Sequence, residues 1–344
     1  MEEERQVLSV LRTDQGMSLA EVYESVNYQK SSRTLSRLLD RLVAKSLVEK
    51  FGASRSTKYR LSASYGILHS IDVEEYFVQD IDDRNILGTF NHELLRSELH
   101  QVNLFTEHEL HHLHELQAQY ERNVNDLGRD EYLKEIERLA IDLSWKSSQI
   151  EGNTYSLLET ERLLREKQTA SGKTKDEAVM LLNHKEAIDF IVEHPDYLKS
   201  LSTRKIENIH SLLTKELGIN RNLRRRRVGI TGTNYRPLDN EFQIREAFDN
   251  MCKLIDAKES VFQKALLALV LVSYIQGFVD GNKRTARITS NAILIANGYC
   301  PISFRTVDSI DYKKAMLIFY ERNNITAFKR IFIDQFRFAV QTYF

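Results

Sequence analysis

The 344 residues exceed one small core and suit about two domains of ~150 residues each. Hydrophobic residues make up 42 % and charged residues 28 %, which excludes a disordered chain, and only 13 Gly and 3 Pro argue against a β-sandwich or barrel and for a mainly helical protein. The net charge of −1 excludes a uniformly basic nucleic-acid coat, and two cysteines, Cys252 and Cys300, supply neither a disulfide framework nor a four-ligand zinc site.

The acidic start, Met1-Glu2-Glu3-Glu4-Arg5, lacks the profile of a signal peptide. The longest apolar run, residues 265–275, is far shorter than the ~20 residues of a membrane span. Together with the cysteine usage, this leads to the expectation of a cytoplasmic protein without a membrane segment.

Residues 1–65 carry their own pattern. Val7, Leu8, Val10 and Leu11 fit a first helix, and Ser18 caps a second with Leu19, Val22 and Tyr23. Ser31 caps a third, whose Leu35, Leu38, Leu39 and Leu42 share one face while Arg33, Arg37 and Arg41 form a stripe away from it. Residues 48–51 and 57–61 read as two short strands around a turn containing Arg55, with Lys58 and Arg60 on the second. The segment holds 11 Lys and Arg against 8 Asp and Glu, with the excess on helix three and the hairpin. It resembles a winged helix-turn-helix domain. The resemblance implies double-stranded DNA as a partner, met by Arg33, Arg37, Arg41, Arg55 and Lys58. The bland alternative is a protein-interaction wing with a solvated basic face.

Residues 66–135 read as a polar, helical connecting segment. Within it, His108-Glu109-Leu110-His111-His112 formally matches the zinc-protease pattern H-E-x-x-H. Its polar surroundings and the lack of a third ligand at a recognisable spacing favour a solvated helix face.

The most informative stretch is residues 265–299. An apolar helix runs into Gln276-Gly277-Phe278-Val279-Asp280-Gly281-Asn282-Lys283-Arg284-Thr285-Ala286-Arg287, and a second helix continues to the stop signal Asn297-Gly298. Three cations in the first turn of a helix oppose its dipole. They make sense if an anion is held there by free backbone N–H groups together with Lys283, Arg284 and Arg287. Asp280 at the rim could hold Mg²⁺ against phosphates. The alternative is a helix corner whose cations pair with core carboxylates.

The run Phe278-x-Asp280-Gly281-Asn282-x-Arg284-x-x-Arg287 closely resembles the signature of the Fic family, H-P-F-x-[DE]-G-N-x-R-x-x-R. Ser147-Ser148-Gln149-Ile150-Glu151-Gly152 is similar to the inhibitory helix motif of Fic proteins regulated from their N-terminal side, [ST]-x-x-x-E-[GN]. Residues 227–233, with Ile230, Thr231, Gly232 and Thr233, resemble the family's β-hairpin flap that positions the target. The resemblance spans residues 136–344, with the inhibitory helix at about 136–153. It implies a helical Fic core and an ATP site. Asp280 would sit on Mg²⁺, and Gly281, Asn282, Lys283, Arg284 and Arg287 would surround the phosphates. The implied reaction is transfer of AMP from ATP to a hydroxyl of a protein target. Ser147, Glu151 and Gly152 would form the inhibitory element, with Glu151 taking the place where Arg287 would receive the γ-phosphate.

One departure bears on catalysis. The family places a His four residues before the loop acid, and this chain has Gln276, followed by Gly277 instead of Pro. By resemblance Gln276 and Asn282 are the catalytic positions, but a carboxamide cannot accept the proton of an attacking hydroxyl. Loss of a general base is worth ~10²–10⁴-fold. His184 and His210 are the remaining stand-ins. The expectation is therefore an ATP-binding protein of the adenylyltransferase type, autoinhibited by Glu151 and impaired at Gln276. The alternative is a non-catalytic, nucleotide-responsive DNA-binding transcriptional regulator. Expected partners are ATP or a related nucleotide, a protein target, duplex DNA and a second copy of the chain as a homodimer.

Overall fold

The structure is a computed structural model and describes residues 2–11, 15–26 and 28–344. The N-terminal part holds α1 (Glu2–Val10), α2 (Leu19–Ser25), α3 (Ser32–Ala44), β1 (Val48–Phe51) and β2 (Lys58–Leu61). Ser18 caps α2 in a reciprocal box with Glu21, and the Ser31 hydroxyl accepts from the Thr34 amide at the start of α3. Leu35, Leu38, Leu39 and Leu42 are buried on one face of α3, while Arg33, Arg37 and Arg41 are exposed on the other. The β1–β2 pair is antiparallel with Val48 opposite Leu61, and an isolated bridge joins Met17 to Tyr59. These elements close a small core of their own around Val7, Val22, Leu39 and Tyr59.

The second, larger core is helical. Its short connecting helices are α4 (Tyr65–Leu68), α5 (Val73–Val78) and α6 (Leu99–Gln101). The longer ones are α7 (Glu107–Asp126), α8 (Arg129–Ile150), α9 (Leu157–Glu166), α10 (Lys175–Glu193), α11 (Thr203–Leu213), α12 (Glu241–Ala257), α13 (Val261–Ile275), α14 (Asn282–Ala296), α15 (Ser309–Arg322) and α16 (Thr326–Tyr343). Residues 265–275 of α13 are buried without exception, as expected of a helix that is apolar all round and therefore central. The neighbouring α14 packs along it, and the Ser290 hydroxyl donates to the Ala265 carbonyl at 2.9 Å. α8, α10, α11, α12, α15 and α16 surround this pair.

Three sequence expectations need correction. The segment 66–135 is not merely a polar connector: Leu94, Leu95, Leu99, Val102, Leu104, Phe105, Leu113 and Leu116 belong to the main core. The helix expected at about 136–153 begins at Arg129 and ends at Ile150, because Glu151 and Gly152 turn the chain and Gly152 takes φ +101°. The flap residues 227–233 form no β-hairpin. They contain a turn at Thr231 and Gly232, and Arg236 makes an isolated parallel bridge to Thr89.

Candidate functional site

At the end of α13, Gln276 enters the left-handed region at φ 52° and stops the helix. Its side chain is buried and fully engaged. Nε2 donates to the Ser273 carbonyl at 2.7 Å and to the Tyr320 hydroxyl at 3.1 Å, and Oε1 accepts from Asn282 Nδ2 at 3.1 Å. Asn282 closes the loop in both directions, accepting from the Phe278 amide at 2.9 Å and donating to the Phe278 carbonyl at 2.8 Å. A Cβ on Gly277 would lie 2.1 Å from a ring carbon of Phe248, so this position tolerates no side chain without movement of that ring.

Gly281 takes φ 82° at the N-cap of α14. Beneath the loop, His210 stacks on Phe278 at 3.7 Å and donates from Nε2 to the Asp280 carbonyl at 2.9 Å. Burial pushes His210 down to about 4, so the ring is neutral at physiological pH. His184 is also buried, with Nε2 2.6 Å from the Ser147 hydroxyl. Burial, reinforced by Arg287 and Arg284, holds it well below the ordinary histidine value. Both histidines are thus neutral and engaged, His184 with the Ser147 hydroxyl and His210 with the Asp280 carbonyl.

The first two turns of α14 carry the cations. Arg284 is 1 % exposed and has one side-chain bond, from Nη2 to Asp280 Oδ2 at 3.3 Å. Its Nε and Nη1 are buried without a partner. Arg287 is fully buried. Nε donates to the Ser147 hydroxyl at 2.8 Å, and Nη2 donates to the Ser147 carbonyl at 3.0 Å and to Glu151 Oε1 at 2.8 Å. Its guanidinium also lies over the Tyr312 ring at 5.2 Å. Lys283 Nζ meets the other oxygen of Glu151 at 3.1 Å.

Glu151 therefore bridges two cations from the end of α8. Burial would raise its carboxyl, but Arg287 and Lys283 outweigh that and hold it down to about 2. The turn that presents it is fixed from outside. Glu177, in the capping box of α10, accepts from the Thr154 amide at 2.8 Å and its hydroxyl at 2.6 Å, and Asn153 donates to the Glu177 carbonyl at 2.8 Å. Asp280 is the one acid on the loop. Oδ1 accepts from the Gly281 amide at 2.6 Å, and the side chain is 62 % exposed. Ser147, Glu151, Lys283, Arg284 and Arg287 are thus gathered at one helix end, with Gln276 and Asn282 joined to each other on the adjoining loop.

Residues 200–294 match the model of the Fic/DOC family, and residues 2–86 match that of the penicillinase repressors. The protein adenylyltransferase Fic of Nematostella vectensis is 28 % identical over 181 residues, 49 % of this chain and 40 % of the relative. The chain thus spans less than half the length of that curated relative. Among solved structures, C. elegans Fic-1 superposes with a TM-score of 0.57 at 18 % identity, covering 68 % of this chain and 71 % of that one. A Fic family protein from Desulfovibrio desulfuricans G20 gives 0.55 at 18 % identity, covering 68 % and 72 %. Residues 200–294 are a Fic/DOC-family domain.

Within the Fic domain, sequence reasoning missed Arg224. It lies in a run of five nearby arginines that reads as a solvated or target-receiving basic patch. The structure separates them. Arg225 and Arg227 are exposed and pair with Glu241 and Asp239, whereas Arg224 is buried. Arg224 Nε donates to the Gln276 carbonyl at 2.5 Å, Nη1 to the Arg226 carbonyl at 2.8 Å, and Nη2 to the Leu238 carbonyl. It fastens both ends of segment 226–238 to the Fic loop. Its one sequence signal is its place just before that segment, which does not distinguish it from its neighbours.

Of the residues expected at DNA, Arg33, Arg37, Arg41 and Lys58 are exposed, and the side chain of Arg55 lies outside the described part. In the H-E-x-x-H stretch the glutamate and the last histidine have other partners. Glu109 caps α7 and pairs with Lys329 at 2.8 Å, and His112 accepts from Arg337 at 3.3 Å. Among the described residues there is no group of three or more metal-ligating side chains, and no helix long and apolar enough to cross a membrane.

Gly277→Ala is expected to destabilise the protein by ~1–3 kcal/mol through the clash with Phe248. Urea melts should show Phe248→Leu recovering part of that loss in the Gly277→Ala background, and an unchanged Gly277→Ala melt contradicts the close approach. For Glu151, the depression from 4.5 to about 2 corresponds to ~3 kcal/mol. That stabilisation is complete above the unfolded value and is lost as pH falls through about 2. A carboxyl ¹³C titration should find Glu151 ionised throughout pH 5–8, and a midpoint near the ordinary value contradicts the pairing.

Proposed function

We propose that this chain is a Fic-type protein adenylyltransferase whose ATP site is closed at rest by Glu151 and whose transfer step is impaired by Gln276. The observation that carries the nucleotide reading is Arg284, a buried guanidinium with Nε and Nη1 unpartnered at a helix N-terminus. Asp280 meets only Nη2, buried donors without acceptors are costly, and a polyphosphate would supply both further charge and the missing acceptors. Lys283 and Arg287 extend the same cradle once Glu151 leaves it.

Asp280 is a single exposed carboxylate at the rim. One carboxylate together with phosphate oxygens fits Mg²⁺, which keeps several waters and needs no all-protein cage. Bound there, Mg²⁺ would neutralise charge on the phosphates. The chain's own groups would do the rest. Lys283 and Arg284 would hold the phosphates, and Asn282 would keep the loop closed through its paired bonds with Phe278. Segment 228–234 would face the acceptor.

In the transfer itself, the acceptor oxygen bonds to the α-phosphorus, pyrophosphate leaves, and the hydroxyl proton must go to a base. Gln276 has no basic lone pair to offer, and its amide oxygen is taken by Asn282. This supports slow transfer from an otherwise intact site. The curated relative is a protein adenylyltransferase, which lends no weight to a purely non-catalytic regulator.

The N-terminal domain, matching a repressor family, is proposed to bind duplex DNA through the exposed stripe Arg33, Arg37 and Arg41 with Lys58 on the wing. Lys50 and Arg60 are less available, since they pair with Asp40 and Glu49. Affinity for duplex DNA should fall steeply with salt. Arg37→Ala should weaken binding, and if Arg37 meets a phosphate the salt slope should drop by about 1. DNA binding indifferent to both sinks this assignment.

Transfer is tested with ATP labelled at the α-phosphate, reading self-modification. Wild type and Glu151→Gly should stay unlabelled, and Glu151→Gly combined with Gln276→His should take up label. Label on Glu151→Gly alone would mean that another group serves as base and that Gln276 is no impairment.

A further inference from the structure

Residues 72–91 carry the chain from the N-terminal domain across α15 and then along segment 228–236. The anchor is Glu321, which is fully buried near the end of α15. Arg84 Nη1 donates to its two oxygens at 3.0 and 3.3 Å, the Tyr76 hydroxyl donates to Oε2 at 2.6 Å, and the Leu87 amide donates to its backbone carbonyl at 2.7 Å. Arg84 is itself buried, and its other terminal nitrogen, Nη2, reaches away from Glu321 to the Gly232 carbonyl at 3.3 Å.

Gly232 lies at the tip of the turn in segment 228–234, at φ 90°. Two further bonds bind the same segment to the strap. Asn234 Nδ2 donates to Asp82 Oδ1 at 2.8 Å, and the Arg236 amide donates to the Gly88 carbonyl at 3.0 Å. The adjacent face of α15 meets the Fic loop, since Tyr320, next to Glu321, accepts from Gln276 Nε2. Tyr235 stacks on both Tyr274 and Tyr320, which sets the segment directly beside that loop. No hairpin pairing stiffens the turn, so its conformation depends on these outside contacts.

We propose that Arg84 is a positioning residue for the acceptor side of the site: its planar fork ties the turn at Thr231 and Gly232 to Glu321, so the segment is held preformed by a strap from outside the Fic domain. An arginine suits this task because one rigid group serves two acceptors in different directions, which an ammonium cannot do. A preformed turn makes an incoming polypeptide fit a fixed backbone instead of moulding it, and this lowers the ordering cost of docking. The proposal rests on the reading of segment 228–234 as the surface facing the acceptor.

Arg84→Lys separates positioning from simple stabilisation. The lysine still meets the buried Glu321 carboxylate but drops the bond to Gly232. In hydrogen exchange on the full chain, amides across 228–236 should exchange about tenfold faster, the worth of one charge-assisted bond. Amides across 276–287 should keep wild-type rates, and the Kd for Mg·ATP should not move. In the Glu151→Gly, Gln276→His background, self-labelling at saturating ATP should slow while the KM for ATP stays constant. The pair Arg84→Met with Glu321→Met removes both charges together and should reproduce the same pattern, which guards against a misfolded single variant. Unchanged exchange across 228–236 overturns the proposal. So does acceleration spread equally over 228–236 and 276–287, which marks a purely structural ion pair. Background label that never appears counts against the transfer reading, while the exchange result still decides the role of Arg84.

Discussion

A guanidinium buried at the N-terminus of a helix faces the positive end of the helix dipole in a medium that screens poorly, so it requires negative charge close by. The start of α14 holds two such groups, Arg284 and Arg287, with Lys283 beside them. Asp280 gives Arg284 one long bond from an exposed side chain, and Glu151 serves Arg287 and Lys283 together. The rest of the site follows from this charge problem. The end of α8 stops at Glu151 so that the carboxylate reaches the cluster, and the Glu177 cap of α10 fixes the turn behind it. Arg284 remains incompletely satisfied, which is why an anionic ligand is the natural complement of the cluster.

The two sides of the site differ in completeness. On the side proposed for phosphates, backbone and cations are arranged around a gap in the charge balance. On the side proposed for the acceptor, Gln276 is locked in a network with Ser273, Tyr320 and Asn282, and the nearby His210 is engaged by the Asp280 carbonyl. Gly277 extends this departure from the family pattern, since Phe248 fills the volume that a proline ring would need. Phe248 and Gly277 thus form one packing solution, distinct from the residues that bind charge.

The Fic loop was legible because its geometry is local. Gly281 and Asn282 close a turn over five residues, and the cations of the following helix can be counted from the sequence. The Glu151 partnership, spanning 136 positions to Arg287, was legible only through family resemblance. The contacts of Arg224 and Arg84 were not legible. Five nearby arginines look alike until burial distinguishes one, and Arg84 lies 237 positions from Glu321. Residues 94–105 hid their core role because Leu94 and Leu95 lie in a π-helical turn that ends just before Leu99, so the three lack the usual helical spacing. The absence of a flap hairpin was also hidden, since tertiary contacts from Arg84 and Arg224 replace strand pairing there.

The central claim is that Arg284 and its neighbours form a polyphosphate cradle, and calorimetric titration of Mg·ATP into wild type and Arg284→Met tests it most directly. Methionine fills the buried space without charge, so the fold should tolerate it. The account predicts that the substitution lowers affinity by about ten- to a hundredfold, the worth of losing charge-assisted bonds to phosphate. Equal affinity in the two proteins, or no binding to wild type, contradicts it.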